Sequence, residues 1–190
     1  MSQWFDLVLV LHLFGALLLA AAIAVGLVFA LLLRSAATVD EVRFAAALAK
    51  WLPKLFRAAG TLVLLTGIYL SVVLIMHHAA YGWIVVSLAL VVAWSAWSAV
   101  SGKKKAAAIV QALRDSGGTM TPDLLNLTQA PAGVVHSMYS VVALLAIVVL
   151  MVYQPGVVNC ILVLAGAAIV AAAFRGLILR RVSAPATSAA

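Results

Sequence analysis

The stretch that decides the fold is residues 4–33, "WFDLVLVLHLFGALLLAAAIAVGLVFALLL". Asp6 is its one formally charged residue, and it stands close to the start. An apolar helix of ~20 residues crosses the ~30 Å hydrocarbon core of a bilayer, so this stretch is long enough to span one. The strand of a membrane β-barrel would alternate polar and apolar residues, and these residues do not alternate. The stretch therefore predicts a transmembrane α-helix.

The composition extends this interpretation to the whole chain. Of the 190 residues, 67% are hydrophobic and only 9% are charged, and the mean hydropathy is +1.23. A soluble domain of this length cannot bury that much apolar surface. We predict an all-α polytopic membrane protein, a single domain built as a bundle of five transmembrane helices. The predicted spans are approximately 5–33, 54–76, 82–101, 132–153 and 156–174.

The positions of the basic residues predict the orientation. With five spans, all twelve Lys and Arg residues fall on one side of the membrane: Arg34, Arg43, Lys50, Lys54, Arg57, Lys103, Lys104, Lys105, Arg114, Arg175, Arg180 and Arg181. The positive-inside rule makes that side the cytoplasm, so the N-terminus is outside and the C-terminus is inside. We expect a multi-pass protein of the bacterial cytoplasmic (inner) membrane that contacts anionic inner-leaflet lipid. The net charge of +7 is then a topology signal. No nucleic-acid partner is expected, because there is no compact basic domain to bind one.

The connections on the basic side also carry helix signals. Thr38 and Glu41 have the spacing of a capping box, which predicts a helix through "VRFAAALAKWL". The segment 103–115 is interpreted either as a continuation of the third span or as a surface helix, ended by "SGGT". Thr121 followed by Pro122 predicts the start of another short helix.

Small residues recur at four-residue spacing in the first span, at Ala22, Gly26 and Ala30. Such residues let membrane helices approach closely. They predict packing inside the bundle or, alternatively, a face for a homo-oligomer or a larger membrane complex.

Several function classes lack their usual residues. No Asp, Glu, Lys or Arg lies in the middle of a predicted span, where proton-coupled transporters and pumps usually place one. The sequence has no P-loop, no HExxH and no CxxC motif. We therefore assign no enzymatic activity and no catalytic residue from the sequence.

The histidines are the candidate ligands. His12 lies 22 residues before Arg34, or ~33 Å along a helix, and His77 lies 20 residues after Arg57, or ~30 Å. If Arg34 and Arg57 are level, His12, His77 and the adjacent His78 all lie near the outer boundary. Met76, Met151 and Cys160 are predicted at similar depth, where imidazole and sulfur ligands would suit copper or haem iron.

The residues suggest limits to a shared ligand site and one alternative to it. At most one of His77 and His78 is expected to face His12, because successive helical residues point ~100° apart. The alternative to any shared site is a simple interfacial role for these histidines at the end of a turn. His136 is expected to lie apart, in the inner leaflet.

A family resemblance rests on short apolar patches. "LHLFGALLLA", with Leu11-His12 and Gly15, resembles the first helix of small bacterial membrane proteins related to copper-resistance protein D, and is similar to that of HemJ-type protoporphyrinogen oxidases. "LLTGIYL" (64–70) and "LMVYQPG" (150–156) resemble patches in a branch of predicted integral membrane proteins near those families. The resemblance implies haem or metal handling through His12. This sequence lacks the additional polar intramembrane residues expected of HemJ-type oxidases.

Three functions follow as hypotheses. The first is a protein that binds haem or a metal such as copper near the outer leaflet, for redox chemistry or metal handling, with His12, His77, His78 and Met76 as candidate ligands. The second is a permease or channel for a small substrate. The third is a structural or accessory subunit of a membrane complex.

Overall fold

The computed structural model describes residues 3–76 and 82–183, and these residues form seven α-helices with no strand among them. In chain order the helices are α1 (Gln3–Ser35), α2 (Val39–Ala49), α3 (Leu52–Met76), α4 (Gly82–Asp115), α5 (Pro122–Gln129), α6 (Ala132–Tyr153) and α7 (Val157–Ser183). The all-helical, polytopic fold predicted from the sequence is confirmed.

Four helical segments in the described part of the chain are long and apolar enough to cross a membrane. They are Gln3–Ser35, Val39–Met76, Pro122–Tyr153 and Val157–Arg180. The apolar part of α4, Gly82–Ser98, is shorter. Length and composition alone therefore support four of the five predicted spans, and α4 has to be judged by its packing.

The packing of α4 supports a fifth span. Gly82, at its start, lies against Val157 at the beginning of α7, and Lys105 lies against Gly133 at the beginning of α6. The end of α6 lies close to the start of α7, so the first contact places the start of α4 near the end of α6. The second contact places Lys105 near the start of α6, and α4 therefore runs antiparallel to α6 from Gly82 to Lys105. The 24 residues from Gly82 to Lys105 cover ~35 Å as a helix, which exceeds the ~30 Å hydrocarbon core.

The first helical pair is held by close contact of α1 with α3. A Cβ added at Gly15 would lie 3.0 Å from Val63 Cγ2 and 3.1 Å from Leu62 Cγ, and one added at Gly26 would meet Leu52 at 3.5 Å. Ala22, between these two glycines, is fully buried. The small residues of α1 thus serve internal packing, as one of the two interpretations predicted. Ala168 and Ala172 of α7 are also four residues apart, but both are exposed.

A helical cap covers the basic end of the bundle. We call "the cap" α2, α5 and the end of α4 from Ile109 onward. Its core contains Val39, Val42, Ile109 and Leu124, with Ala36 just before α2. The segment 103–115 therefore prolongs α4, the first of the two alternatives, and does not form a separate surface helix.

The capping signals in the sequence are confirmed. The Thr38 hydroxyl accepts a hydrogen bond from the Glu41 amide, and the Glu41 carboxylate accepts one from the Thr38 amide. Thr121 accepts from the Leu124 amide at the start of α5, with Pro122 in the first turn. Gly117 and Gly118, both with positive φ, follow the end of α4. Local side-chain chemistry is enough to start and stop these helices.

Candidate functional site

His12 is a buried polar residue in the N-terminal half of α1, only 6% exposed. Its Nδ1 lies 2.9 Å from Oγ1 of Thr66 on α3. The bond joins two membrane helices, and such bonds are favoured because the alternative is an unpaired polar group in hydrocarbon. It also fixes the position of the imidazole ring.

The hydrogen bonds of Thr66 assign the tautomer of His12. The Thr66 hydroxyl lies 2.6 Å from the carbonyl oxygen of Leu62, and it donates its single hydrogen to that oxygen. It can then only accept from His12, so the imidazole proton is assigned to Nδ1. Nε2 is left with a lone pair, which can accept a hydrogen bond or bind a metal.

Glycines let the two helices meet at this point. A Cβ added at Gly67 would lie 3.2 Å from His12 Cε1, which is tighter than ordinary van der Waals contact. Gly15, one turn after His12, faces Leu62 and Val63 in the same way. The patches "LHLFGALLLA" and "LLTGIYL", far apart in the sequence, are therefore in contact in the fold.

A half-open cavity of about 400 Å³ lies beside His12. Residues of α1, α3, α4 and α6, together with Gln154 after α6, line it. Its lining is mostly apolar, with Leu, Val, Phe, Ile and Met side chains. The polar side chains among the described lining residues are those of His12, Ser71, Trp83, Ser87 and Gln154, and none of these carries a full charge when His12 is neutral. Such a cavity suits a small, largely apolar molecule held by a few polar contacts.

Two of these polar side chains have unused hydrogen-bonding atoms. Trp83 is 8% exposed and Ser87 is 5% exposed. Within the described part of the chain, Trp83 Nε1 and Ser87 Oγ have no hydrogen-bond partner. A buried polar atom without a partner is costly and needs an explanation.

The depth argument for a joint site of His12 with His77 assumed that Arg34 and Arg57 are level, and that assumption is wrong. The joint site itself stays a prediction, because His77 lies outside the described residues. Gly15 lies beside Leu62 and Val63, and Gly26 lies beside Leu52 and Phe56. In this antiparallel pair Arg57 is therefore level with the region of Ala22, and Arg34 lies twelve residues further along α1. His12 is accordingly level with Thr66 and Gly67. Met76 follows Thr66 by ten residues, or ~15 Å along α3. The physical reason is that α1 continues past the start of α3 to reach the cap.

The predicted site residues have different outcomes. His12 lines the cavity, whereas the side chain of Met76 is 74% exposed and is not part of the lining. His77 and His78 lie outside the described residues. Met151 lines the cavity, and Cys160 is buried beside Trp83 and Leu150. Within residues 3–76 and 82–183, no group of three or more His, Cys, Asp or Glu side chains is arranged to hold a metal ion.

His136 lies apart from the cavity, as predicted. Its ring stacks on Trp94 of α4, with the ring centroids 5.4 Å apart and the planes 19° apart. Near this pair, just beyond the predicted third span, Lys105 packs against Gly133, and burial lowers the pKa of the Lys105 ammonium. His136 therefore packs against α4 and does not line the cavity.

Sequence reasoning missed the polar residues of α4. Neither Trp83 nor Ser87 is among the candidate ligands predicted from the sequence. Their four-residue spacing puts them on one face of α4. The four-residue spacing is the signal in the sequence that could have identified this pair. Spacing within one helix does not show which other helices that face packs against.

Comparison with known proteins supports the membrane assignment. The sequence profile of a family described as "Predicted integral membrane protein (DUF2269)" matches residues 6–155. No curated protein and no solved structure gave a significant match. The wider resemblance to copper-resistance protein D and to HemJ-type proteins has no support in these comparisons and stays a prediction. The match covers α1 to α6, including all the helices that line the cavity, and the chain belongs to this family of predicted integral membrane proteins.

Proposed function

We propose that this protein binds a small, largely apolar molecule in the cavity between α1, α3, α4 and α6, with His12 forming part of its polar wall. The observation that carries the proposal is the fixed imidazole of His12. It is held in one tautomer by Thr66, and the residue lines a cavity of about 400 Å³. Polar residues inside membrane helices are expensive, and they are a default indication of function.

The competing explanation is that the bond from His12 to Thr66 only joins α1 to α3. That role needs Nδ1 alone and would be served as well by an Asn or Gln donor. It does not explain why His12 also lines a cavity. It also does not explain why Trp83 Nε1 and Ser87 Oγ, which belong to residues lining the same cavity, have no hydrogen-bond partner among the described residues.

The test compares two membrane histidines. Native mass spectrometry of the protein, purified in mild detergent from its own host, should detect a bound species in the wild type. His12→Phe should lose it, because the ring nitrogen is removed and the cavity is narrowed. His136→Phe is the matched control and should retain it, since His136 stacks on Trp94 away from the cavity. A wild type without any bound species, or one retained in His12→Phe, would contradict the proposal.

Haem or copper is the second candidate occupant. It is favoured by the presence of His12 and Met151 on the lining of one cavity, because imidazole and thioether are ligands of haem iron and of copper. Absorbance near the Soret band and metal analysis of the purified protein test it. Loss of the signal in His12→Ala and in Met151→Leu is the expected result, and His77→Ala and His78→Ala test the further ligands predicted from the sequence.

The basic residues at one end of the bundle are the basis for proposing the cellular location of the protein. Its Lys and Arg residues support a bacterial cytoplasmic membrane, with the cap inside and in contact with anionic lipid. Flux in proteoliposomes would instead favour a permease, and co-purification of a stoichiometric protein would favour a subunit of a complex.

A further inference from the structure

Trp83 and Ser87 form a pair of donors on one face of α4. They are four residues apart, so their side chains lie one helical turn from each other on the same side. Both line the cavity, and both are more than nine-tenths buried. In the part of the chain that the structure describes, Trp83 Nε1 and Ser87 Oγ have no hydrogen-bond partner.

Ser87 differs from three other intramembrane serines. Ser71, Ser137 and Ser140 each donate to the carbonyl oxygen four residues earlier, at 2.7, 3.1 and 3.0 Å. That bond is the ordinary way to satisfy a hydroxyl in a membrane helix. Ser87 does not make it, so its hydroxyl is available to a molecule in the cavity.

The unused atoms define the chemistry of the missing partner. The indole N–H is a donor and cannot accept, so its partner must be a hydrogen-bond acceptor. Ser87 can donate to the same molecule. Because the described lining residues include no Asp, Glu, Lys or Arg, a charged ligand would be buried without a counter-charge, at high cost. The partner is therefore an uncharged acceptor on an apolar body.

We propose that the cavity recognises an uncharged, lipid-soluble carbonyl compound of the quinone class, whose oxygen accepts hydrogen bonds from Trp83 Nε1 and Ser87 Oγ. The proposal rests on the proposed function and names the ligand class of the same cavity. The lone pair of His12 Nε2 does not attract a carbonyl oxygen. The carbonyl contact therefore belongs to α4.

Two probes of matched shape test this recognition. Menadione and 2-methylnaphthalene share a methylated fused-ring body, but only menadione has carbonyl oxygens. Binding of each is measured by equilibrium dialysis against the protein in nanodiscs of ether-linked phospholipid, with empty nanodiscs to subtract partitioning. Ether-linked lipid is used because the ester carbonyls of ordinary lipid offer the same chemistry. Weaker binding of menadione in ester-linked nanodiscs would show that lipid esters reach the same donors, and it would also support the proposal.

The variants separate the donors from the general apolar cavity. Trp83→Phe and Ser87→Ala should each weaken menadione binding about three- to tenfold, which is the usual worth of one hydrogen bond, and should leave 2-methylnaphthalene binding unchanged. Ser87→Thr keeps a hydroxyl and should bind as the wild type does. The controls are Trp4→Phe, a tryptophan that is 70% exposed, and Ser98→Ala. Ser98 of α4 likewise has no hydrogen-bond partner among the described residues, and it does not line the cavity.

The outcomes distinguish this inference from the proposed function. Equal binding of the two probes, or unchanged menadione binding in Trp83→Phe and Ser87→Ala, would overturn carbonyl recognition and leave an apolar binding cavity in place. Binding of neither probe, with a species still lost from His12→Phe in the native preparation, would overturn the ligand class alone. Unfolding temperature and gel-filtration profile confirm that each variant is folded before its affinity is compared.

Discussion

Position 67 shows how a single residue controls the contact between α1 and α3. A Cβ at Gly67 would press on the His12 ring at 3.2 Å, and that ring is already held by Thr66. Gly60 lies two helical turns earlier on the same helix, and a Cβ there would meet nothing within 4 Å. The two glycines therefore differ only in their surroundings.

This difference predicts opposite results for the same substitution. Gly67→Ala should destabilise the folded protein by about 1–3 kcal/mol, because overpacking forces the ring or the helix to move. Gly60→Ala should be neutral or slightly stabilising, since alanine is the better helix former. Unfolding of both variants in a mixed SDS and mild-detergent titration measures the free energies. Equal values for the two would show that the close approach at Gly67 does not limit packing.

Thr66 provides a second prediction at the residue scale. Thr66→Val keeps the shape but removes the acceptor for His12, and it should reduce the free energy of unfolding by about 0.6 kcal/mol and at most ~1.7 kcal/mol. Thr66→Ser keeps the hydroxyl and serves as the control. The same detergent titration measures both, and a Val variant as stable as the Ser variant would mean that the bond contributes nothing to stability.

Among the secondary-structure elements, the cap is the unit held by a conventional hydrophobic core. Val42 of α2 is fully buried against Ile109 and Leu124, whereas Val110, the residue next to Ile109, is 44% exposed. The cap is small, so each buried side chain carries a large share of its stability. The ends of α1 and α4 extend past the first residues of α3 to reach the cap.

The cap predicts a local effect of mutation. Val42→Ala should destabilise the cap by about 1.5–3 kcal/mol, the cost of two buried methyl groups and the cavity they leave. Val110→Ala should change little. Amide hydrogen exchange should become about tenfold faster or more in α2 and α5 of the Val42 variant, and stay unchanged where α1 meets α3. Faster exchange throughout the bundle would show that the cap does not unfold separately.

For the whole molecule, the number of spans decides which side each terminus occupies. An odd number puts the two ends on opposite sides, whereas four spans, without α4, would put them on the same side. The basic residues of α1 to α4, and those near the end of α7, lie at the end of the bundle where the cap is. This arrangement agrees with the positive-inside rule for a cytoplasmic cap.

Reporter fusions test this topology directly. A reporter at the C-terminus should be active in the cytoplasm, and one at the N-terminus or within residues 77–81 should be active outside. We expect this result because α4 crosses the bilayer alongside α6, although its apolar segment is short. Both termini on one side would contradict five spans and remove α4 from the bilayer.

Sequence alone predicted the properties that depend on one segment and its solvent. Apolar length predicted the membrane helices, the basic residues predicted a common end, and the side chains of Thr38 and Thr121 predicted helix starts. His12 was also recognised, because a polar residue stands out in an apolar run. These signals are local, since hydrophobic transfer and capping need no knowledge of distant residues.

Only the tertiary structure decided which residues share the site. Spacing along a helix measures depth within that helix, but the register between helices depends on how their surfaces fit. Gly15 and Gly67 set the register of α1 against α3, and that register brings His12 to Thr66 and leaves Met76 ~15 Å further along. The face of α4 that meets the cavity was decided in the same way, by its packing along α6. Trp83 and Ser87 therefore became candidate binding residues only when the helices were assembled.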